Sequence, residues 1–233
     1  MSAPASTPVL ARARLRRDQP VEALARLLVP EEPGARLGAA HSLVWALFAD
    51  GPDLRRDFLW REMRPGEFLI LAARPPADAH NLFDLEFKPF HPMLRPGQCL
   101  GFDLRANPVI SVPAKPGQRG KRHDVVMHAL SKVARDERAA AREAAIRDAG
   151  TAWLARKGTT AGFSVDPSRL HIDGYDRVRI LRSDARVVIY STLTFQGVLT
   201  VEDPVQFLAA VLRGFGAAKG FGCGLMLIRR ARL

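Results

Sequence analysis

Hydrophobic and polar residues alternate from Val9 to Arg17, with Val9, Ala11, Ala13 and Leu15 on one face and Leu10, Arg12, Arg14 and Arg16 on the other. A period of two predicts a half-buried strand with a basic outer face. Val21 to Leu28 predicts a short helix that Pro30 to Pro33 breaks. From Arg36 to Phe48 the period lengthens, and Leu37, Ala40, Val44, Leu47 and Phe48 form the apolar stripe of a second helix. Phe58–Glu62 and Glu67–Ala73 read as strands joined by a turn at Arg64-Pro65-Gly66. Leu82–Pro89 and Cys99–Pro108 are further strands, with His91–Gly97 as the loop between them. Residues 113–122 are basic and lack apolar anchors, which predicts a domain linker. Asp124 to Lys157 is Ala-rich and charged and predicts helix. Strands follow at Phe163–Ile172, Arg177–Arg182 and Val187–Val201, the last bending near Gln196-Gly197. Asp203 as N-cap and Pro204 at the first position open a final helix that runs to Arg213, and Leu225–Ile228 is the closing strand.

Each half therefore runs strand, helix, two strands, helix, strand. The expected fold class is α+β, with two tandem ferredoxin-like domains. The N-terminal domain is placed at 1–112, the linker at 113–122 and the C-terminal domain at 123–233. The second helix of the first half would have to fit the short, Pro-rich stretch 75–81.

Composition narrows the partners. The 233 residues are 47% hydrophobic, enough for a sizeable core. No apolar run approaches the roughly 20 residues that cross a bilayer, and no signal-type stretch follows the N-terminal arginines. No membrane association and a cytoplasmic location are the expectation. Cys99 and Cys223 are too few for a disulfide framework. The six histidines have no ligand spacing, and His123 and His128, five apart, do not share a helix face, so neither metal nor small-molecule cofactor is expected. The net charge is +11, from 29 arginines and 6 lysines against 24 acids. A GC-rich genome would explain arginine in place of lysine, but not the excess over acids. That excess, spread along the whole chain, points to a polyanion, and nucleic acid fits better than a membrane surface. With 2 Tyr and 3 Trp and no aromatic platform, a duplex stem fits better than splayed single-stranded bases.

Between Gly214 and Gly224 five glycines (Gly214, Gly216, Gly220, Gly222, Gly224) fall in eleven positions around Lys219. Such a loop lets backbone approach a phosphate-bearing ligand. Mononucleotide loops run strand, loop, helix, so that the helix N-terminus holds the phosphates. Here the order is helix, loop, strand, and Lys219 is not followed by Ser or Thr. A polymer backbone is the better expectation.

Four segments carry a family resemblance: His41-Ser-Leu-Val-Trp45-Ala-Leu-Phe48, Phe102-Asp-Leu-Arg105-Ala-Asn-Pro108, Phe195-Gln-Gly197-Val-Leu-Thr-Val201 and the glycine segment 214–225. Together, at compatible spacing, they resemble the CRISPR-associated endoribonuclease CasE family, the precursor-RNA processing subunit of type I-E Cascade complexes. The resemblance implies two ferredoxin-like domains and binding of a CRISPR repeat RNA hairpin. It implies metal-independent cleavage by the 2′-hydroxyl, leaving a 2′,3′-cyclic phosphate and a 5′-hydroxyl. It also implies that the enzyme stays on its product beside the other Cascade protein subunits. His41 takes the position of the catalytic histidine. Many family members carry a tyrosine three residues earlier, where this chain has Gly38. That departure leaves open a second reading, a non-catalytic hairpin-binding scaffold of the same architecture. A small-molecule enzyme using the glycine loop is a third. Arg177, Arg179 and Arg182 correspond to a basic strand that contacts RNA in the family. Lys219 and the loop cations Lys115, Arg119, Lys121 and Arg122 are candidates for phosphate contacts. Arg105 is assigned to domain structure.

Overall fold

The computed structural model describes residues 7–18, 24–49, 56–113, 115, 118, 120–181 and 186–231. The chain forms two compact units. The first comprises residues up to Met93 together with two later stretches, 179–189 and 219–222, and the second holds 94–178, 190–218 and the remainder from Cys223.

The first unit is built on strands β1 (Val9–Leu15), β2 (Phe58–Arg64), β3 (Glu67–Ala72) and β4 (Phe83–Pro89), in the order β2-β3-β1-β4. β1 pairs antiparallel with both β3 and β4, setting Ala11 opposite Ile70 and Phe87. This is the strand order of a ferredoxin-like unit. The alternation expected of β1 is present, with Val9, Ala11 and Ala13 buried and Arg12 and Arg14 exposed. Both arginines reach Glu86 on β4, at 2.7 and 2.8 Å.

Helix α1 (Ala25–Leu28) is short, and α2 (Pro33–Ala46) covers the sheet. α2 starts three residues earlier than the apolar stripe suggests. Pro33, expected as a breaker, is at its first turn, where a missing N–H costs nothing. Glu32 caps it, its carboxylate accepting from the Gly34 and Ala35 amides. Those two bonds hold the Glu32 carboxyl below its usual range. Ala40, Leu43, Val44, Leu47 and Phe48 enter the core with Phe58, Trp60, Phe68 and Ile70. No second helix occurs at 75–81, where prolines and the bends around Asp78 replace it.

The second unit repeats the topology with β5 (Cys99–Ala106), β8 (Phe163–Leu181), β9 (Val187–Val201) and β10 (Met226–Arg230), ordered β10-β5-β9-β8. β5 is central, pairing antiparallel with β9 and β10. Trp153 stacks on Phe195, and Phe163 meets Phe207 and Phe215 edge-on. Asp203 caps the last helix as expected, accepting from Val205 and Gln206.

Two expectations are corrected. The boundary is not at 113–122. β5 belongs to the second sheet, and the stretch 113–122 runs from the end of β6 (Val109–Val112) into β7 (Lys121–Asp124), its antiparallel partner within the second unit. The pairing that decides this is long-range, whereas the basic composition of the loop is local. Nor is 124–157 one helix. α3 (Val125–Leu130) ends after Asp124 has capped it, turns occupy 131–141, and α4 (Arg142–Ala161) follows. α4 ends at Gly162 in the left-handed conformation, and α5 (Pro204–Arg213) completes the helices. Among the described residues no helix is long and apolar enough to cross a membrane.

Candidate active site

His41 is on α2 one turn before Trp45, half-buried at the edge of the apolar stripe. Its Nδ1 is 2.7 Å from the carbonyl oxygen of Gly220, in the 3₁₀ turn Lys219–Phe221. A carbonyl can only accept, so Nδ1 carries a proton and donates it. That leaves Nε2 as the nitrogen able to exchange a proton. Trp60 Nε1 donates to the same carbonyl at 3.1 Å. Phe221 lies against the imidazole, with ring centroids 5.2 Å apart, and Trp45 meets it edge-on at 6.0 Å. One backbone oxygen thus ties α2, β2 and the turn together and sets the tautomer and pitch of the ring.

The five glycines divide into two kinds. Gly214, Gly216, Gly222 and Gly224 have φ between 76° and 89°, so they allow the chain path itself. Gly220 does not. Its missing side chain leaves open a point 3.7 Å from both His41 Cε1 and Arg56 Nη1. Four of the glycines are thus required by the path of the chain, and one faces the histidine. Lys219 begins the same turn, next to Gly220.

Gly38 stands in the interior of α2, where an added Cβ would meet nothing nearer than Ile180 Cγ2 at 4.0 Å. Gly38→Ala should stabilise the protein by about 0.5–1 kcal/mol, the helical cost of glycine. A urea midpoint that does not rise would show that α2 needs the glycine. The chain's two tyrosines, Tyr175 and Tyr190, belong to the second unit. There the Tyr175 hydroxyl donates to Asp124 at 2.9 Å, and burial pushes the Tyr190 phenol well above its ordinary range.

The predicted RNA contacts among the described residues belong to both units. Arg177 and Arg179 share the exposed face of β8, opposite Val178 and buried Ile180. Arg177 belongs to the second unit and Arg179 to the first. Lys121 and Arg122 are exposed on β7, and Lys115 is exposed in the hairpin loop. Arg119 and Arg182 lie outside the described residues. Asn107, in the second family segment but given no role there, is buried and donates to the Ser191 carbonyl at 2.6 Å. Beside it Arg105 reaches Thr192 at 3.5 Å, in keeping with a structural role. His123 and His128 do approach, with ring centroids 6.0 Å apart, because a strand end and a helix bring them together. Among the described residues no three His, Cys, Asp or Glu side chains gather as a metal site would need.

A family model described as CRISPR associated protein matches residues 10–230. The chain belongs to that family. The CRISPR system Cascade subunit CasE of Escherichia coli K12 is 28% identical over 208 residues, covering 87% of this chain and 96% of the relative. The CRISPR-associated endoribonuclease Cse3 of Thermus thermophilus is 34% identical over 145 residues, 60% of each chain. Among solved structures, Cse3 bound to a 19-nucleotide RNA superposes with a TM-score of 0.63 at 25% identity, over 95% of this chain and 99% of that one. Cas6e from Escherichia coli K-12 superposes with a TM-score of 0.61 at 23% identity, over 96% and 100%, which supports the fold. The family and the two ferredoxin-like units agree with the expectation drawn from the four segments.

Proposed function

We propose that this CRISPR-associated protein is an endoribonuclease that binds the hairpin of a CRISPR repeat and cuts precursor CRISPR RNA. The relatives carry the substrate class: one is named an endoribonuclease, another a Cascade subunit. The observation that carries the chemistry is the His41–Gly220 bond, which leaves Nε2 of an oriented imidazole to act. In the reaction the 2′-oxygen forms a bond to phosphorus and the bond from phosphorus to the 5′-oxygen breaks. The 2′-hydroxyl proton passes to water. His41, as imidazolium, gives its Nε2 proton to the departing 5′-oxygen and is reprotonated from solvent. The products are a 2′,3′-cyclic phosphate and a 5′-hydroxyl, and no metal is required.

Lys219, Arg177, Arg179, Lys115, Lys121 and Arg122 serve as phosphate contacts to the stem. The protein then remains on its product as a subunit of a cytoplasmic Cascade complex. Gly38 favours slow chemistry, because the side chain that would orient the attacking hydroxyl in many family members is missing.

A labelled repeat hairpin should be cut in EDTA, and the same hairpin with a 2′-deoxy group at the cut site should bind and remain whole. Cleavage of the deoxy hairpin would overturn the 2′-hydroxyl mechanism. Tight binding of the ordinary hairpin without cleavage would support the scaffold reading.

A further inference from the structure

We propose that Arg56 is a catalytic residue, the group that holds the scissile phosphate against His41. Arg56 precedes β2, and its Nη1 lies 3.7 Å from the vacant Cβ position of Gly220, the same distance as His41 Cε1. The two side chains thus flank one open point, close enough for a single phosphate to touch both. Arg56 stands outside the four segments that carry the family resemblance.

Its surroundings mark it as a binding group. The neighbouring Asp57 is engaged by Arg74 at 2.8 Å, and among the described residues no carboxylate pairs with Arg56. The residue is exposed, yet its guanidinium is crowded enough for desolvation to lower its pKa, and no carboxylate among the described residues offsets this. A partly desolvated cation without a counterion is poorly placed for stability alone. It is well placed for an anion that arrives with the substrate. A guanidinium presents two parallel N–H donors to phosphate oxygens and keeps its charge at neutral pH. In-line attack adds negative charge to the non-bridging oxygens, and a donor already in position stabilises that charge without reorganising. Arg56 gains and loses no proton; the proton transfers remain those of His41 and water.

The inference rests on the endoribonuclease reading, and the experiment separates the two. Single-turnover cleavage of the repeat hairpin at saturating enzyme is measured beside equilibrium binding of the 2′-deoxy hairpin, for Arg56→Ala, Arg56→Lys, Gly220→Ala and His41→Ala. Arg56→Ala is expected to slow cleavage by about 10²–10³-fold, the usual loss for one charge-stabilising donor. Deoxy-hairpin affinity should fall by less than about tenfold, since one contact among many is removed. Arg56→Lys should recover part of the rate, and it keeps the test readable if Arg56→Ala folds poorly. Gly220→Ala adds a methyl in ordinary van der Waals contact with both groups. It should slow cleavage while the melting temperature holds. Arg56→Ala cutting at the wild-type rate while His41→Ala is inactive would overturn the Arg56 assignment alone. Parallel loss of rate and binding in Arg56→Ala would reduce it to a general RNA contact and overturn it as well. His41→Ala cutting normally would overturn the site reading and this proposal with it.

Discussion

His41→Ala should slow cleavage at saturating enzyme by about 10²–10⁴-fold, the range of a single general acid, with little change in hairpin affinity. The separation is expected because His41 is one neutral or singly charged ring among many cations. RNA affinity comes mainly from those cations, so removing the ring costs little binding. The test is readable because the alanine variant loses a 2.7 Å hydrogen bond and the ring contacts to Phe221 and Trp45, while the buried core cluster keeps all its members. His41→Gln is a useful companion, because its amide can still donate to the Gly220 carbonyl but cannot act as an acid at neutral pH. If the glutamine variant cuts as fast as wild type, orientation of the turn matters and proton transfer does not. Rate and affinity falling together in both variants would make His41 a binding residue.

Trp60→Ala should destabilise the protein by about 3–5 kcal/mol, as for other buried aromatic truncations. Trp60 is fully buried, its ring meets Phe68 edge-on at 5.8 Å, and the space above Gly222 is closed by the same indole at 3.2 Å. Total stabilities are about 5–15 kcal/mol, so a large share of the folded population is at stake. Urea unfolding followed by circular dichroism measures it. What remains folded should also cut more slowly, because the indole N–H no longer helps pin the turn against His41. A loss under about 1 kcal/mol, the size of one hydrogen bond, would mean that the cavity collapses and that packing around β2 is looser than the contacts indicate. Trp60→Phe keeps most of the bulk and isolates the contribution of the N–H.

Strict local periodicity was readable from sequence. β1 appears where Val9, Ala11 and Ala13 alternate with arginine, and α2 buries Ala40, Val44 and Leu47 as its stripe requires. The cap at Asp203 follows from one side chain and its own next turn. What failed depended on pairing across long separations. Cys99–Ala106 is a strand on either assignment, and only its register against β9 and β10 puts it in the second sheet. The chain's return to the first unit at 179–189 and 219–222 has no local signature. The helix expected across 124–157 broke because alanine favours helix at every position without saying where one ends.

The site divides the same way. His41 and Gly220 stand in motifs, whereas Arg56 is one of 29 arginines and acquires meaning only from its neighbours. Trp60 looked like any strand aromatic. The glycine segment was legible as unusual, but not that four of its glycines bend the chain while the fifth leaves room.

The partner that fixes the histidine tautomer is a main-chain oxygen, and this changes what genetics can see. Any residue at position 220 supplies the same carbonyl, so codon changes there test crowding and leave the acceptor intact. Weakening the acceptor itself calls for a different kind of chemistry, an ester in place of the peptide link between Gly220 and Phe221, which makes that oxygen a poorer base while every side chain stays. Whichever side chain stands at position 220, the proton's place on the ring follows the path of the chain.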